Sequence, residues 1–142
     1  MTIIAYKDGI VAYDSYLTRG NIVTDFGFNK HFKRSGYHIF LCGSVSDYEL
    51  LVDLILGGSL ITGYTYNAEA LYVKDRKLYH CSVDNSEGFW VRPSRLEVST
   101  AIGSGSDLAY AAMDCGRSAK QAVAVAIKRS IYCGGKIGSF KV

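Results

Sequence analysis

Three residues in the first third of this 142-residue chain have types and spacing that bring chemical groups together: Thr2, Asp14 and Lys30. Asp8-Gly9 lies between two apolar, β-prone runs, Thr2 to Tyr6 and Ile10 to Tyr13, a strong local signal for a hairpin. Antiparallel pairing about that turn sets Thr2 beside the Asp14-Ser15 end of the second run, with side chains about 5–8 Å apart, whatever the register to within one residue. Asp14 follows an unbroken apolar strand and so sits at the edge of a buried region, where a carboxylate needs a partner. Lys30, in a run of strand character, can supply the opposite charge, although spacing alone leaves that contact open. Taken singly, Thr2 reads as a β-branched residue opening a strand, Asp14 as a turn residue and Lys30 as a surface charge.

Other chemistries have less support. The histidines (His31, His38, His80) have no triad-like or metal-like setting, and His38 reads as a hydrogen-bonded core residue of a buried strand. Cys42, Cys81, Cys115 and Cys133 are scattered, without CxxC or a His at ligand spacing, so no metal is expected and the thiols read as reduced and mostly buried. Gly103-Ser104-Gly105 resembles a dinucleotide loop only superficially: Leu108 stands at the third glycine position and no βαβ unit surrounds it. No cofactor is expected. A formal charge of +3 spread over both signs gives no case for nucleic acid or an anionic membrane as partner. No segment approaches the ~18 apolar residues of a membrane span, and the N-terminus lacks a basic region ahead of an apolar run. These features lead us to expect a cytoplasmic protein.

The positioning elements follow from period and punctuation. After the hairpin comes a Gly-containing loop at Arg19-Gly20-Asn21, then strand character from Ile22 to Phe32 and a compact buried strand from Tyr37 to Cys42. Gly43-Ser44 ends that strand, and Asp47 to Ile55 fits a helix capped by Ser44 or Ser46, stopping at Gly57-Gly58. Residues 59–67 read as a loop. Ala68 to Val73 and Leu78 to Val83 form a second hairpin about Lys74-Asp75-Arg76; the stretch from Ser86 to Pro93 reads as irregular, with Trp90 packed. Val98 to Ile102 is strand-like, and Asp107 to Cys115 is helical. Ser118 to Gln121 matches a capping box for a helix over Ala119 to Arg129, and Ile137 to Val142 adds a last strand. Strands grouped around helices predict α+β layers in one domain spanning residues 1–142.

Several of these segments resemble the β-type subunits of the proteasome, in particular the bacterial proteasome-like peptidase and its short phage and bacterial relatives. The start, Met1 to Gly9 followed by Ala12-Tyr13-Asp14-Ser15, is similar to theirs, with Thr2 matching the threonine that opens the mature chain. Asp14 matches the aspartate that ends the second strand, and Lys30 falls on the family lysine. Ile39 to Ser44 resembles the strand whose backbone N–H binds an oxyanion, at or near Gly43. Thr100 to Gly105 resembles the family's GSG turn, in which Ser104 supports the nucleophile. The resemblance implies a four-layer αββα sandwich of the N-terminal-nucleophile hydrolase type, acting as a ring-like homo-oligomer on peptides or unfolded proteins.

The chemistry so implied is peptide hydrolysis through an acyl-enzyme on Thr2. A threonine hydroxyl needs an adjacent base, and a free α-amino group of pKa near ~8 is one carried on the same residue. Met1 must therefore be removed, because a retained Met1 acylates that amine. Lys30 would lower the amine's pKa, Asp14 would hold Lys30 charged, and an N–H near Gly43 would bind the oxyanion. Two features depart from the family. Lys128 to Gly135 lacks the expected acid and carries Ser130 and Cys133 at the matching positions, where they would lend support. The chain is also short around residues 56–68 and at its C-terminus, where ring and ATPase contacts would lie; this points to a phage-like, ATPase-independent version, with no regulatory ATPase evident. The alternative is a non-catalytic assembly protein that keeps the fold and Met1, for example as part of a virion.

Overall fold

A computed structural model describes residues 2–142; Met1 and its removal lie outside the described residues. The first hairpin pairs β1 (Ile3–Lys7) with β2 (Ile10–Tyr13), Ile4 opposite Tyr13 and Lys7 opposite Ile10. Its turn residues Asp8 and Gly9 both have positive φ, 49° and 83°, as a two-residue turn matched to strand twist requires. Next come β3 (Leu17–Arg19), β4 (Ile22–Asp25), β5 (His31–Arg34) and β6 (Tyr37–Gly43). A 3-10 turn (Val45–Asp47) leads into α1 (Tyr48–Ile55), followed by β7 (Asn67–Lys74), β8 (Lys77–Asp84) and β9 (Gly88–Ser94). The last third holds β10 (Thr100–Gly103), α2 (Ser106–Asp114), α3 (Ala119–Arg129) and β11 (Gly138–Lys141).

Two larger antiparallel sheets result, one ordered β10-β1-β2-β11 and the other β5-β6-β7-β8-β9, beside a two-stranded sheet of β3 and β4. Ile4, Val11, Phe40 and Leu71 pack between them. Ile3, Ala5 and Ala12 turn the opposite way, against Ala109, Met113, Ala122 and Val123 of α2 and α3. On the far side, Ile39, Leu41 and Ala70 meet Leu51 and Val52 of α1. The side chains of the strands thus build the four layers αββα; the element pattern predicted α+β layers, and the family resemblance implied this particular arrangement.

Four expectations need correction. The run from Ile22 to Phe32 is two strands in different places: β4 pairs back on β3, and β5 joins the larger sheet. The break has a local cause. The Asp25 carboxylate accepts from the Gly27 N–H (2.8 Å) and the Asn29 side chain from the His31 N–H (3.0 Å), so side chains replace the ladder. The stretch read as irregular contains β9, an edge strand, which is where Pro93 is tolerated. Trp90 in it is half-buried, edge-on to His80. Neither Ser44 nor Ser46 caps α1; Asp47 holds that position without a capping hydrogen bond, and its buried carboxylate accepts from the Tyr64 hydroxyl (2.7 Å) and the Asn67 N–H (2.8 Å). By contrast, the Ser118/Gln121 capping box of α3 forms in both directions. Val98 stays outside β10 and is exposed.

Candidate active site

The hairpin register brings the two sequence-predicted charges together. β2 ends at Tyr13, so Asp14 turns inward beside the start of β1, and its N–H donates to the Ile3 carbonyl (3.2 Å). Lys30 lies just ahead of β5, anchored by its carbonyl to the Leu41 N–H (3.1 Å). Its Nζ donates to Asp14 Oδ1 at 2.6 Å, and both side chains are 0% exposed. Asp14 Oδ1 also accepts the Ile3 N–H (3.1 Å) and Oδ2 the Gly134 N–H (3.0 Å). The ammonium is therefore one shared oxygen away from the Thr2–Ile3 peptide. Burial pulls the Lys30 pKa below its ordinary value, and the charge of Asp14 opposes that shift.

Thr2 is buried at the mouth of the GSG turn. The Ser104 hydroxyl donates to the Thr2 carbonyl (3.3 Å), and the Gly105 N–H reaches the same oxygen (3.4 Å). Gly103 must be glycine: its φ is +96°, and a Cβ there would strike that carbonyl. Ser104 thus acts on the backbone of Thr2. Burial pushes up the pKa of Tyr48, the first residue of α1, and the neighbouring Thr2 side chain opposes that shift.

Gly43 closes β6 with φ +105°, and a Cβ would lie 2.5 Å from the Asn67 carbonyl, so only glycine fits. Successive strand amides point to opposite sides. The Ser44 N–H donates to Asn67 on β7 (2.8 Å), whereas the Leu41 N–H faces Lys30. The Gly43 N–H therefore points to the Leu41 side, beyond the last β5–β6 pair at His31 and Phe40. Thr2, Gly43 and Ser104 line one cavity of about 300 Å³, whose wall also holds Cys42, Asn67 and Glu69. Gly43 and Asn67 border a second, wider cleft of about 820 Å³ as well, between Leu17–Asn21 and Ser44–Ser46.

The C-terminal segment also reaches this region. Cys133 is buried, its sulfur 3.8 Å from Ser104 Oγ; burial raises its pKa, and the nearby Ser130 and Ser104 hydroxyls oppose that rise. Ser130 Oγ also accepts the Tyr132 N–H (3.3 Å). The structure therefore gathers Thr2, Asp14, Lys30, Ser104, Gly43, Ser130 and Cys133 around one strand end. Sequence reasoning missed Tyr48 and Gly134. Gly134-Gly135 was legible only as a break after α3, yet a Cβ on Gly134 would strike the Tyr16 ring, and its N–H completes the hold on Asp14. Among the described residues no group of three or more His, Cys, Asp or Glu side chains is placed to hold a metal ion.

Two antiparallel sheets between helices give the chain the fold of the solved proteasome-type structures on which it superposes. The chain is similar in structure to BPH of Thiobacillus denitrificans, with a TM-score of 0.71 over 98% of this chain and 95% of that one, at 17% identity. The complex of that protein with epoxomicin superposes with a TM-score of 0.70 at 17% identity, covering 98% and 96%. HslV from Trypanosoma brucei superposes with a TM-score of 0.65 at 16% identity, covering 99% of both chains. No protein-family model and no curated protein matches the chain by sequence.

Proposed function

We propose that the chain is a threonine peptidase subunit of proteasome type, which hydrolyses peptide bonds with Thr2 once Met1 has been removed. The observation that carries this reading is the buried Lys30–Asp14 pair behind Thr2, in a cavity that Thr2 shares with Gly43 and Ser104. A fully buried ammonium needs a reason, since an ion pair without water gains little stability over apolar packing. Next to a hydroxyl nucleophile it has one: it stabilises the alkoxide and favours the neutral form of the α-amine that takes the proton.

In this mechanism the Thr2 hydroxyl attacks the scissile carbonyl and its proton passes to the α-amine of the same residue. The Gly43 N–H donates to the oxyanion, an electrostatic contribution that in other enzymes is worth about 10²–10³ in kcat. The protonated amine then delivers its proton to the leaving nitrogen, and water releases the acyl group. A substrate laid across Gly43 would fill the wide cleft on one side and the smaller cavity on the other. Ser104 and Gly105 hold the Thr2 carbonyl, while Ser130 and Cys133 stand where the acid expected from the family resemblance would be. That the related fold of Thiobacillus denitrificans BPH takes epoxomicin supports the use of an epoxyketone as probe. We further propose a ring-like homo-oligomer working on peptides or unfolded protein in the cytoplasm or in a phage-infected cell.

Intact-mass measurement tests the reading first. We expect a chain lacking Met1, and a peptide epoxyketone attached to Thr2 through both its hydroxyl and its amine. Thr2→Ala should abolish labelling and peptide turnover. Retention of Met1 in purified protein, with no label after enzymatic trimming of that residue, would instead point to an assembly protein.

A further inference from the structure

The cavity beside Thr2 has an asymmetric wall: it is lined by the acidic residues Glu69 and Asp84 and, among the described residues, by no lysine, arginine or histidine. Glu69 is central. It lies directly opposite Cys42 on one side and Ser82 on the other, on the sheet face turned toward Thr2. Its carboxylate is held at both oxygens, Oε1 by His80 Nε2 at 2.6 Å and Oε2 by the Cys42 thiol at 3.8 Å. Arg92 lies 3.3 Å from His80 Nδ1, and a guanidinium can only donate, so Nδ1 is the acceptor and Nε2 carries the hydrogen. The imidazole Nε2–H thereby fixes the position of the Glu69 carboxylate. With about a third of its side chain still exposed, the carboxylate can take another donor from the cavity.

We propose that Glu69 is a specificity-determining residue that selects peptides bearing a cationic side chain next to the scissile bond, drawn into the cavity of about 300 Å³ shared with Thr2. The proposal rests on the peptidase reading of this site and adds its substrate class. The Glu69 carboxylate fixes a lysine ammonium or arginine guanidinium through a charge-assisted hydrogen bond, with Asp84 adding to the negative potential at the rim. A neutral side chain of the same length forgoes this charged contact with Glu69, and an acidic one is repelled. Hydrogen bonds to charged groups of this kind are worth about 10- to 100-fold in affinity.

Paired short peptides, identical except for lysine, norleucine or glutamate at one position, test this at two levels. Calorimetric affinity on the full-length chain carrying Thr2→Ala reads binding without turnover; kcat/KM on processed protein reads selectivity in cleavage. We expect the lysine peptide to bind and to be cleaved about 10- to 100-fold better than the norleucine peptide, and the glutamate peptide worst. Glu69→Gln, which keeps the hydrogen-bonding shape, should erase the lysine advantage while Thr2 still reacts with an uncharged epoxyketone. Equal affinity for lysine and norleucine peptides would overturn the proposal, even with Thr2 labelled as expected. So would a lysine advantage that survives in Glu69→Gln protein of unchanged Tm. Loss of labelling with the affinity difference intact would fault the catalytic reading alone.

Discussion

At the scale of residues, the Asp14 carboxylate organises the site. It accepts the Lys30 ammonium, the Ile3 N–H and the Gly134 N–H, so two main-chain segments and one side chain converge on one group. Lys30→Met should lower unfolding stability by about 3–5 kcal/mol in denaturant titration, because it leaves the carboxylate buried without its charge partner. Combining it with Asp14→Asn should lower stability by less than the two single losses added together, as expected of groups in direct contact. The pairing was half-legible in the sequence. Hairpin counting placed Asp14 beside Thr2, but Lys30 could be joined to it only through the family resemblance, because the fifteen residues between them leave the chain many paths. Tyr48 carried no signal at all, as a tyrosine opening a helix is ordinary until Thr2 is seen beside it.

At the scale of elements, β5, β6 and β11 meet in a cluster of rings. His31 Nε2 and His38 Nδ1 lie 2.9 Å apart, and Phe140 stacks on His38 at 4.2 Å. His31 also packs on Phe40 at 4.7 Å and edge-on to Tyr13 at 6.1 Å. Burial, first, and neighbouring positive charge hold both imidazoles below their ordinary pKa: His38 and Lys33 act on His31, and Lys33 on His38. The unfolded chain therefore binds protons that the folded one refuses. Stability is fully present above about pH 6.5 and falls as the pH drops from there through the lowered folded values. Unfolding midpoints measured between pH 7 and pH 5 should show this decline, and His31→Gln should flatten it. The expectation that His38 is hydrogen-bonded in its strand holds, but its partner is another histidine. The misread run from Ile22 to Phe32 has the same lesson at element scale. Apolar and β-branched residues predict extended chain, whereas Asp25 and Asn29 decide where it breaks, through hydrogen bonds whose formation composition does not reveal.

At the scale of the whole molecule, the layer between the two sheets makes the fold one cooperative unit. Leu71 is fully buried there with Ile4, Phe40 and Ile102, contributed by three other strands. Leu71→Ala should lower stability by about 2–5 kcal/mol, and fluorescence and circular dichroism should still trace a single unfolding transition. Outer helices that unfolded separately would give two transitions instead. The grouping of strands and helices was the most legible part of the sequence, because apolar strand runs and helical period mark most of the long elements, whereas the four-layer order came through the family resemblance. The edge strand β9 was the least legible, since a proline is compatible with both an edge and a loop. No helix among the described residues is long and apolar enough to cross a membrane.

Among the described residues, the backbone contacts that fix Thr2 lie on the carboxyl side of its α-carbon: Ser104 and Gly105 on its carbonyl, and Asp14 on the amide that follows. The bond to Met1 lies on the other side. Maturation by loss of that residue would therefore be a cut made upstream of a clamp. The strand need not shift register, the turn at residues 103–105 need not reopen, and the new chain end is born in its working place. Processing on this scaffold would switch chemistry on without asking the fold to move.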